Sequence, residues 1–233
     1  MKTPTIVPAA LALACAGFCA VPAFAQADPG QWVAAPEGSV FVYHRQSTGS
    51  YGVYDGPVSW TVGRRDWNGQ PLTSWASTTH GAQLLDPKTH GVVVQLNRKG
   101  DPSYTYDPPI ALDWPLAVGK SWTSVHQMTI HTQTAPYAPA GSSPLTMQFK
   151  VEALEDVTVP AGTFKAYKVV QTTSFGEVDQ VWSAPAQGIA TVKRIADRPA
   201  SHPLGAGHLE ALLTSRATPP HKGPPALPQR SVR

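Results

Sequence analysis

The stretch VTVPAGTFKAYKVV, residues 157–170, indicates the fold class of this chain. Two runs rich in β-branched and aromatic residues flank Pro160-Ala161-Gly162. Proline presets φ at about −65°, which suits the first corner of a tight turn, and glycine adopts positive φ without a Cβ clash. The stretch therefore predicts a hairpin between strands over 147–159 and 163–174. Thr163 is the only hydroxyl at the turn and no base lies beside it, so the turn is interpreted as architecture rather than chemistry.

Further strands are predicted wherever similar runs are bounded by Gly, Pro, Asn or Asp. Residues 147–153 alternate between apolar and polar side chains, which is the period of a half-buried strand. No long window has helical spacing without a Gly or Pro in it. The pattern predicts an all-β fold, an antiparallel curved sheet in the form of a half-barrel or sandwich, with disordered termini. The other predicted strands cover residues 38–46, 58–66, 72–78, 91–98 and 121–132.

The first residues have the pattern of an export signal. Met1-Lys2 precedes a mostly apolar run over 6–21, and Ala23-Phe24-Ala25 presents the small residues that signal peptidase requires. We expect residues 1–25 to be a signal peptide and the mature chain to be periplasmic or secreted. The apolar run is shorter than the roughly 20 residues of a membrane-spanning helix, so the chain is not predicted to span a membrane.

The two cysteines bear on how the exported chain is anchored and stabilised. Cys15 follows Ala12-Leu13-Ala14, which allows a lipoprotein reading; the Ala-Phe-Ala site fits better, so lipid anchoring is the second choice. Cleavage after Ala25 removes both Cys15 and Cys19, which leaves the mature chain without a disulfide, a thiol nucleophile or a cysteine metal site. About 200 residues suffice for a hydrophobic core of their own, and a single β-rich domain is predicted over 30–215.

The basic charge of the chain lies at its C-terminal end. Residues 216–233 hold Arg216, Lys222, Arg230 and Arg233, no acidic residue, and several prolines. These four charges exceed the formal net charge of +3, so the rest of the chain is slightly acidic. The segment is predicted to be a disordered, solvated tail. An alternative is contact with anionic lipid, cell wall or nucleic acid, but four spread charges are not the dense cluster typical of nucleic-acid binding.

Searches for catalytic and metal-binding motifs give no match. H-E-x-x-H, G-x-S-x-G and P-loop patterns are absent, and neither a metal nor a cofactor is predicted. A hydrolase with dispersed residues remains open, because triads assemble from distant strands; His126 or His80 with Asp113 or Asp86 are its candidates. Glu177 and Asp179 fall on one strand face, either as a proton-sharing pair or as acids on the wet side of a sheet.

Three segments together resemble a pattern of exported bacterial proteins without an assigned function. They are WPLAVGKSWTS at 114–124, VEALEDVTVPAGTFKAYKV at 151–169 and DQVWSAPAQGIATVKR at 179–194. The shared pattern is P-x-x-x-G-x-x-W, then V-P-A-G-T-F, then W-x-A-P-x-x-G. The resemblance covers residues 112–196. It implies a β-rich periplasmic or surface-attached domain, and it brings no accepted active site.

The aromatic residues are the candidate binding residues. The chain has seven tryptophans, and a large indole either fills a core or lines an apolar or sugar-binding groove. Trp67 and Tyr54 lie beside the turn-like Asn68-Gly69 and Asp55-Gly56, which favours an accessible position for both. The ligand-binding residues predicted on this basis are Trp67, Tyr54, Trp75, Trp122 and Trp182.

These observations favour an exported, non-catalytic β-rich domain. Its predicted partner is an apolar or amphiphilic small molecule, or a component of the cell envelope, and nucleic acid is not expected. The alternatives are a secreted hydrolase with dispersed catalytic residues and a structural or assembly module that acts through sheet edges.

Overall fold

The computed structural model describes residues 29–77, 79–132, 134 and 136–219. The predicted signal peptide, Cys15, Cys19 and residues 220–233 of the predicted tail lie outside the described residues. Twelve strands follow one another along the described chain: β1 (Val40–Gly49), β2 (Tyr54–Trp67), β3 (Gln70–Ser77), β4 (Gly81–Leu85), β5 (Val92–Leu96), β6 (Pro102–Ile110), β7 (Ser121–His131), β8 (Pro139–Val159), β9 (Gly162–Thr173), β10 (Val178–Ala184), β11 (Ile189–Arg198) and β12 (Gly207–Ala217). The only helix among these residues is a 3₁₀ turn at Pro185–Gln187.

The strands form a closed antiparallel barrel in which each strand pairs with its neighbours in sequence. The barrel closes because β1 pairs with β12, from Val40 opposite Ala217 to Gly49 opposite Gly207. The all-β antiparallel prediction is confirmed, and the predicted half-barrel or sandwich is corrected to a closed barrel. Closure leaves neither β1 nor β12 with an unpaired edge, which an open sheet would have. We call the end at which β1 begins the lower end and the opposite end the upper end.

The opening stretch of sequence forms the hairpin that it predicts. β8 and β9 are joined by the two residues Pro160 and Ala161, and Val159 is paired with Gly162. Gly162 has φ of 127°, in the region that favours glycine. The backbone N–H of Ala161 donates to the carbonyl of Leu213 at 3.2 Å, so the tip of the hairpin is fastened to β12.

Alternation of side chains builds the core. In β8, Leu145, Met147, Phe149 and Val151 are buried, while Gln148 and Lys150 between them are exposed. Buried side chains form three clusters. One joins Phe41, Tyr43, Trp75 and Leu213 with the β8–β9 hairpin; a second is built on β8 and β9 around Phe149; a third lies on β3, β4 and β5 around Leu84.

Within the described part of the chain, no helix has the length and apolar character needed to cross a membrane.

Candidate functional site

Trp75 and Trp182, two of the five predicted binding residues, belong to one apolar cluster. Trp75 is 9% exposed and stacks on Phe41 with ring centroids 5.0 Å apart. Trp182 is 8% exposed, and its indole N–H donates to Glu155 Oε1 at 2.5 Å. The ammonium groups of Lys168 and Lys193 lie 5.6 and 5.1 Å from the Trp182 ring centroid. Both indole rings are therefore packed against other side chains of the protein.

A small cavity adjoins Trp75 at the lower end of the barrel. Trp32, in the segment before β1, lines it together with Thr73 and His90, and its volume is about 20 Å³. Among the described residues, the indole N–H groups of Trp32 and of the neighbouring Trp114 are buried without a hydrogen-bond partner. A space of this size holds about one water molecule, which the Trp32 donor could bind. It is too small for a larger ligand.

Trp67 and Tyr54 lie at opposite ends of β2. Trp67 packs against the cluster on β3, β4 and β5. The Tyr54 hydroxyl donates to the carbonyl of Pro57 at 2.7 Å, and its ring meets His80 edge-on at 5.3 Å. The five predicted residues are thus distributed over the barrel rather than gathered around one cavity.

Trp122 lies at a larger concave feature, which we call the outer groove. It has a volume of about 500 Å³ and lies across β7, β8 and β9. Trp122 is half-buried and stacks on Phe149, with centroids 4.8 Å apart and ring planes 4° from parallel. The residues that line the outer groove are Ser121, Trp122, Thr123, Gln148, Phe149, Lys150, Glu152, Val170 and Thr172.

Strand register arranges the outward side chains of the groove in two rows. Ser121 is opposite Lys150, which is in turn opposite Val170. Thr123, Gln148 and Thr172 form the parallel row. Directly opposed residues on one sheet face have Cβ atoms about 5 Å apart, so each row presents a continuous strip of contacts. The strips combine hydroxyl, amide and ammonium groups with apolar surface.

Glu152 lines the groove and lies at a β-bulge. Val151 pairs with Val169 and Ala153 with Lys168, which leaves Glu152 as the extra residue. Lys168 Nζ lies 2.9 Å from Glu152 Oε2, and the hydrogen bond from Lys168 lowers the pKa of this carboxyl below its usual value. Lys150, by contrast, has no carboxylate within 4.0 Å among the described residues. The groove therefore carries one ammonium group that is not engaged in an ion pair.

Glu177 and Asp179 point away from water, contrary to the expectation of a wet sheet face. Asp179 is 14% exposed and accepts from Arg194, with Nη2–Oδ2 at 2.7 Å. Glu177 is 15% exposed and accepts from Arg198 Nε at 2.6 Å. They do not form a proton-sharing pair with each other, because each carboxylate has its own guanidinium partner. The partners lie 15 and 21 residues further along the chain, so local spacing gave no signal for them.

A serine–histidine pair lies where the pairing between β6 and β7 ends. Ser124 Oγ is 2.7 Å from His126 Nε2, and His126 Nδ1 is 2.7 Å from the carbonyl oxygen of Pro108. A carbonyl only accepts, so Nδ1 carries the proton and Nε2 accepts from the Ser124 hydroxyl. His126 is 2% exposed and Ser124 is half-buried. The i, i+2 spacing of Ser124 and His126 on one strand was a signal available in the sequence.

The other residues of the hydrolase hypothesis lie apart from His126. Asp113 pairs with Lys120 at 3.0 Å, and Asp86 accepts from the backbone N–H groups of Lys88 and Thr89 in a turn. His80 Nδ1 lies 2.7 Å from the Thr79 hydroxyl. Over the described ranges, no three His, Cys, Asp or Glu side chains are placed to hold a metal ion together.

Comparison with known proteins finds solved structures only. No family model and no curated protein matches the chain. A protein from Bacteroides fragilis, described as exported and as having a YmcC-like fold, is 12% identical; the match covers 81% of this chain and 99% of that one, with a TM-score of 0.42. The hypothetical lipoprotein YmcC from Escherichia coli is 12% identical, with 77% and 84% covered and a TM-score of 0.39.

A third solved structure, of a protein from Parabacteroides distasonis described as a lipoprotein, is also 12% identical; the match covers 82% of this chain and 100% of that one, with a TM-score of 0.40. Likeness at this level establishes neither a family nor a function for the chain. The resemblance carried by the V-P-A-G-T-F hairpin stays a prediction.

Proposed function

We propose that this chain is an exported, non-catalytic barrel that binds an amphiphilic small molecule, or the amphiphilic part of a cell-envelope component, in the outer groove. The observation that carries the proposal is the mixed lining of a groove of about 500 Å³. Ligand sites typically occupy about 300 to 1,000 Å³ and combine apolar surface with a few placed polar groups.

The lining divides into parts that suit the two ends of an amphiphile. Val170 supplies apolar surface, and burial of apolar area contributes roughly 25 cal/mol per Å². The Trp122 and Phe149 side chains alternate with the outward rows and stack on each other on the inner face, behind the groove. Lys150 supplies a cation without an ion-pair partner among the described residues. Between them lie the hydroxyl and amide groups of the Thr123 row. A purely apolar ligand would leave these polar groups unpaired, so an amphiphile is the better fit.

Filling the groove tests this function. Thr123→Trp places an indole at the middle of the lining, and Thr61→Trp adds the same bulk at an exposed position of β2. Native mass spectrometry of the mature protein, purified from its own cell envelope, should show a copurified small molecule. We expect wild type and Thr61→Trp to retain it and Thr123→Trp to lose it. An equal amount of the molecule on both tryptophan variants would contradict binding in the outer groove.

The sequence supports export, and the mode of attachment follows from the same mass spectrum. A mature chain that begins at Gln26 corresponds to cleavage after Ala25 and a free protein. A chain that begins at a lipidated Cys15 or Cys19 corresponds to a membrane-anchored one. We propose the free form on the Ala-Phe-Ala motif.

A second candidate function is ester hydrolysis, which the Ser124–His126 contact favours. In this reaction Ser124 Oγ attacks the ester carbonyl carbon while its proton passes to His126 Nε2. The imidazolium then gives that proton to the departing alkoxide, which leaves as an alcohol. Water attacks the acyl–serine with proton transfer through Nε2, which releases the acid and restores the hydroxyl. The carbonyl of Pro108 holds the imidazole in the required tautomer.

A fluorophosphonate probe distinguishes this candidate from the binding function. An activated Ser124 should be labelled, as mapped by peptide mass spectrometry, and His126→Gln should abolish the labelling without removing the serine. Hydrolysis of p-nitrophenyl butyrate should fall to background in Ser124→Ala. A folded wild-type protein that takes up no label at Ser124 would rule this candidate out.

A further inference from the structure

Arg45 is an interior cation near the upper end of the barrel. It alternates along β1 with the exposed residues His44 and Gln46, and it shares its side of the strand with the buried Tyr43. Its directly opposed neighbours are Gly56 on β2 and Ala211 on β12. Neither of these neighbours carries a charge that could pair with the guanidinium.

The charges around Arg45 do not balance. Arg194 is held by Asp179, and Arg198 is held by Glu177. Among the described residues, no carboxylate lies within 4.0 Å of Arg45. Its Nη2 donates to the backbone carbonyl of Tyr51 at 3.0 Å, a neutral acceptor. The group of Arg45, Arg194, Arg198, Glu177, Asp179 and Tyr51, which we call the arginine cluster, therefore carries one uncompensated positive charge.

Within the part of the chain that the structure describes, two donors of the arginine cluster are buried without an acceptor. They are Arg45 Nε and the hydroxyl of Tyr51. Tyr51 belongs to the turn between β1 and β2, and its ring lies 3.9 Å from the guanidinium carbon of Arg198. Glu177 is the carboxylate near the Tyr51 hydroxyl, and it is already engaged by Arg198. A buried donor without an acceptor is costly, and so is a buried charge without a counterion.

Burial also shifts the pKa values of Arg45 and Tyr51. The pKa of Arg45 is lowered by burial and by the nearby charge of Arg194. The pKa of the Tyr51 phenol is raised by burial and by the charge of Glu177, so it stays a neutral donor. The cluster thus holds a cation and a hydroxyl donor, both short of an acceptor.

We propose that the arginine cluster binds an oxyanion of the phosphate class, through Arg45 and the Tyr51 hydroxyl. One oxyanion supplies both the counterion for Arg45 and acceptors for the two orphaned donors. Guanidinium groups match phosphate oxygens in charge and in the geometry of their N–H groups. The oxyanion is either free phosphate or the head group of an amphiphile. This site is separate from the outer groove, so it stands or falls independently of the proposed function.

The test compares phosphate binding by three versions of the mature protein. Arg45→Met removes the interior charge, and Arg64→Met makes the same change at a side chain that is 79% exposed and paired with Glu37. Isothermal titration uses inorganic phosphate in one arm and hexyl phosphate in the other, in low-salt buffer. We expect wild type and Arg64→Met to bind alike and Arg45→Met to bind at least about tenfold more weakly, the loss of a charge-assisted hydrogen bond.

The two arms identify the source of the phosphate group. Tighter binding of hexyl phosphate than of inorganic phosphate assigns the site to an amphiphile's head group, and equal or weaker binding assigns it to the free ion. Equal affinities of all three proteins for both probes, or no binding by wild type, would overturn the proposal.

A measurement on the unmodified protein covers the case in which Arg45→Met does not fold. Phenylglyoxal modifies accessible arginines, and peptide mass spectrometry gives the rate at each position. Phosphate should protect Arg45 and leave the rate at Arg64 unchanged. The same rate at Arg45 with and without phosphate would contradict the proposal as firmly as the titration.

Discussion

The ion pairs inside the barrel differ in kind from those on its surface. Arg194 and Asp179 meet through three short contacts, with Nε 3.0 Å from both carboxylate oxygens and Nη2 2.7 Å from one. Burial disfavours the charged guanidinium, but the charge and hydrogen bonds of Asp179 outweigh it and raise the pKa of Arg194. Removing one partner of such a pair leaves the other charged and poorly solvated.

Asp179→Ala should therefore destabilise the protein by roughly 2 to 4 kcal/mol, because Arg194 loses its counterion in a largely buried position. The matched change is Asp156→Ala, which removes a carboxylate 3.8 Å from Lys165 in a pair that is more than half exposed. Such surface pairs contribute less than about 1 kcal/mol. Urea denaturation of both variants measures the difference, and equal losses would contradict the burial argument.

His202 should make stability depend on pH. The imidazole is 8% exposed, and its Nδ1 accepts from the backbone N–H of Leu204 at 3.1 Å, which requires an unprotonated Nδ1. Burial, followed by the charge of Arg198, lowers its pKa, and Glu177 opposes this shift. When the folded state lowers the pKa of a histidine, the folded protein keeps its full stability above the unfolded pKa of about 6.5. Part of the free energy of unfolding is then lost as the pH falls through the pKa of the folded state.

We therefore expect wild type to lose stability between pH 7.5 and pH 5 and His202→Gln to lose less. The comparison of variants is needed because His80 and His90 also have lowered pKa values, for which burial is the main cause. Guanidinium denaturation at both pH values gives the two differences. An identical loss in both proteins would assign the pH dependence to the other histidines.

The β8–β9 hairpin is the element that the sequence described best. Pro160 and Gly162 pointed to a tight turn because their backbone preferences are local, and the turn forms between them. The hydrogen bond from Ala161 to Leu213, which fastens the turn to β12, could not be predicted from the sequence. The two residues are 52 positions apart along the chain. Local chemistry predicted the turn, and tertiary packing decided where it lies.

Gly162→Ala should destabilise the protein by roughly 1 to 2 kcal/mol, because an L-residue adopts positive φ at that cost. An added Cβ would meet nothing closer than an atom of Phe164 at 4.0 Å, so the cost is one of backbone conformation rather than of a clash. Gly141→Ala is the control, also in β8 but in its part paired with β7, with open space and without positive φ. It should leave stability unchanged or slightly improved, and an equal loss in both variants would refute this account.

No bounds were predicted for β4, β6, β10, β11 or β12, and for β4 and β6 the local signals explain why. β6 contains Pro102, Pro108 and Pro109, which argue against a strand, yet it pairs with β5 from Pro102 to Ile110 and with β7 over residues 104–107. β4 has only five residues, which is too short for a clear period. The ends of β7 and β9 were easier and fall within one residue of the prediction, whereas β8 begins at Pro139, eight residues before its predicted start.

The candidate sites were harder to predict than the strands, because each depends on residues distant in sequence. The outer groove requires the register that sets Thr123 beside Gln148 and Thr172. The charge imbalance at Arg45 follows from which carboxylates the other two arginines engage. Aromatic residues gave a candidate list, but only Trp122 of that list lies at the outer groove.

At the scale of the whole molecule, closure is the feature that local patterns could not reveal. Every predicted strand is compatible with an open sheet, a sandwich or a barrel, and the pairing of β1 with β12 alone distinguishes them. This pairing joins residues more than 150 positions apart, such as Ser47 and Leu209. Both interior features, the arginine cluster and the apolar cluster that joins Phe41 with Leu213, include residues from β1 and from strands near the C-terminal end.

Truncation should show that β12 is required for the barrel and that the segment after it is not. A mature chain that ends at Pro219 keeps all twelve strands, and we expect its melting temperature to remain within about 2 °C of wild type, since a loss of about 1 kcal/mol already shifts Tm by roughly that much.

A chain that ends at Ala206 lacks β12, which exposes the edges of β1 and β11 and removes Leu209 and Leu213 from the interior. It should show no cooperative unfolding by circular dichroism and should aggregate, as unprotected strand edges do. A monomeric chain ending at Ala206 with a sharp thermal transition would mean that the other eleven strands hold the sheet without closure.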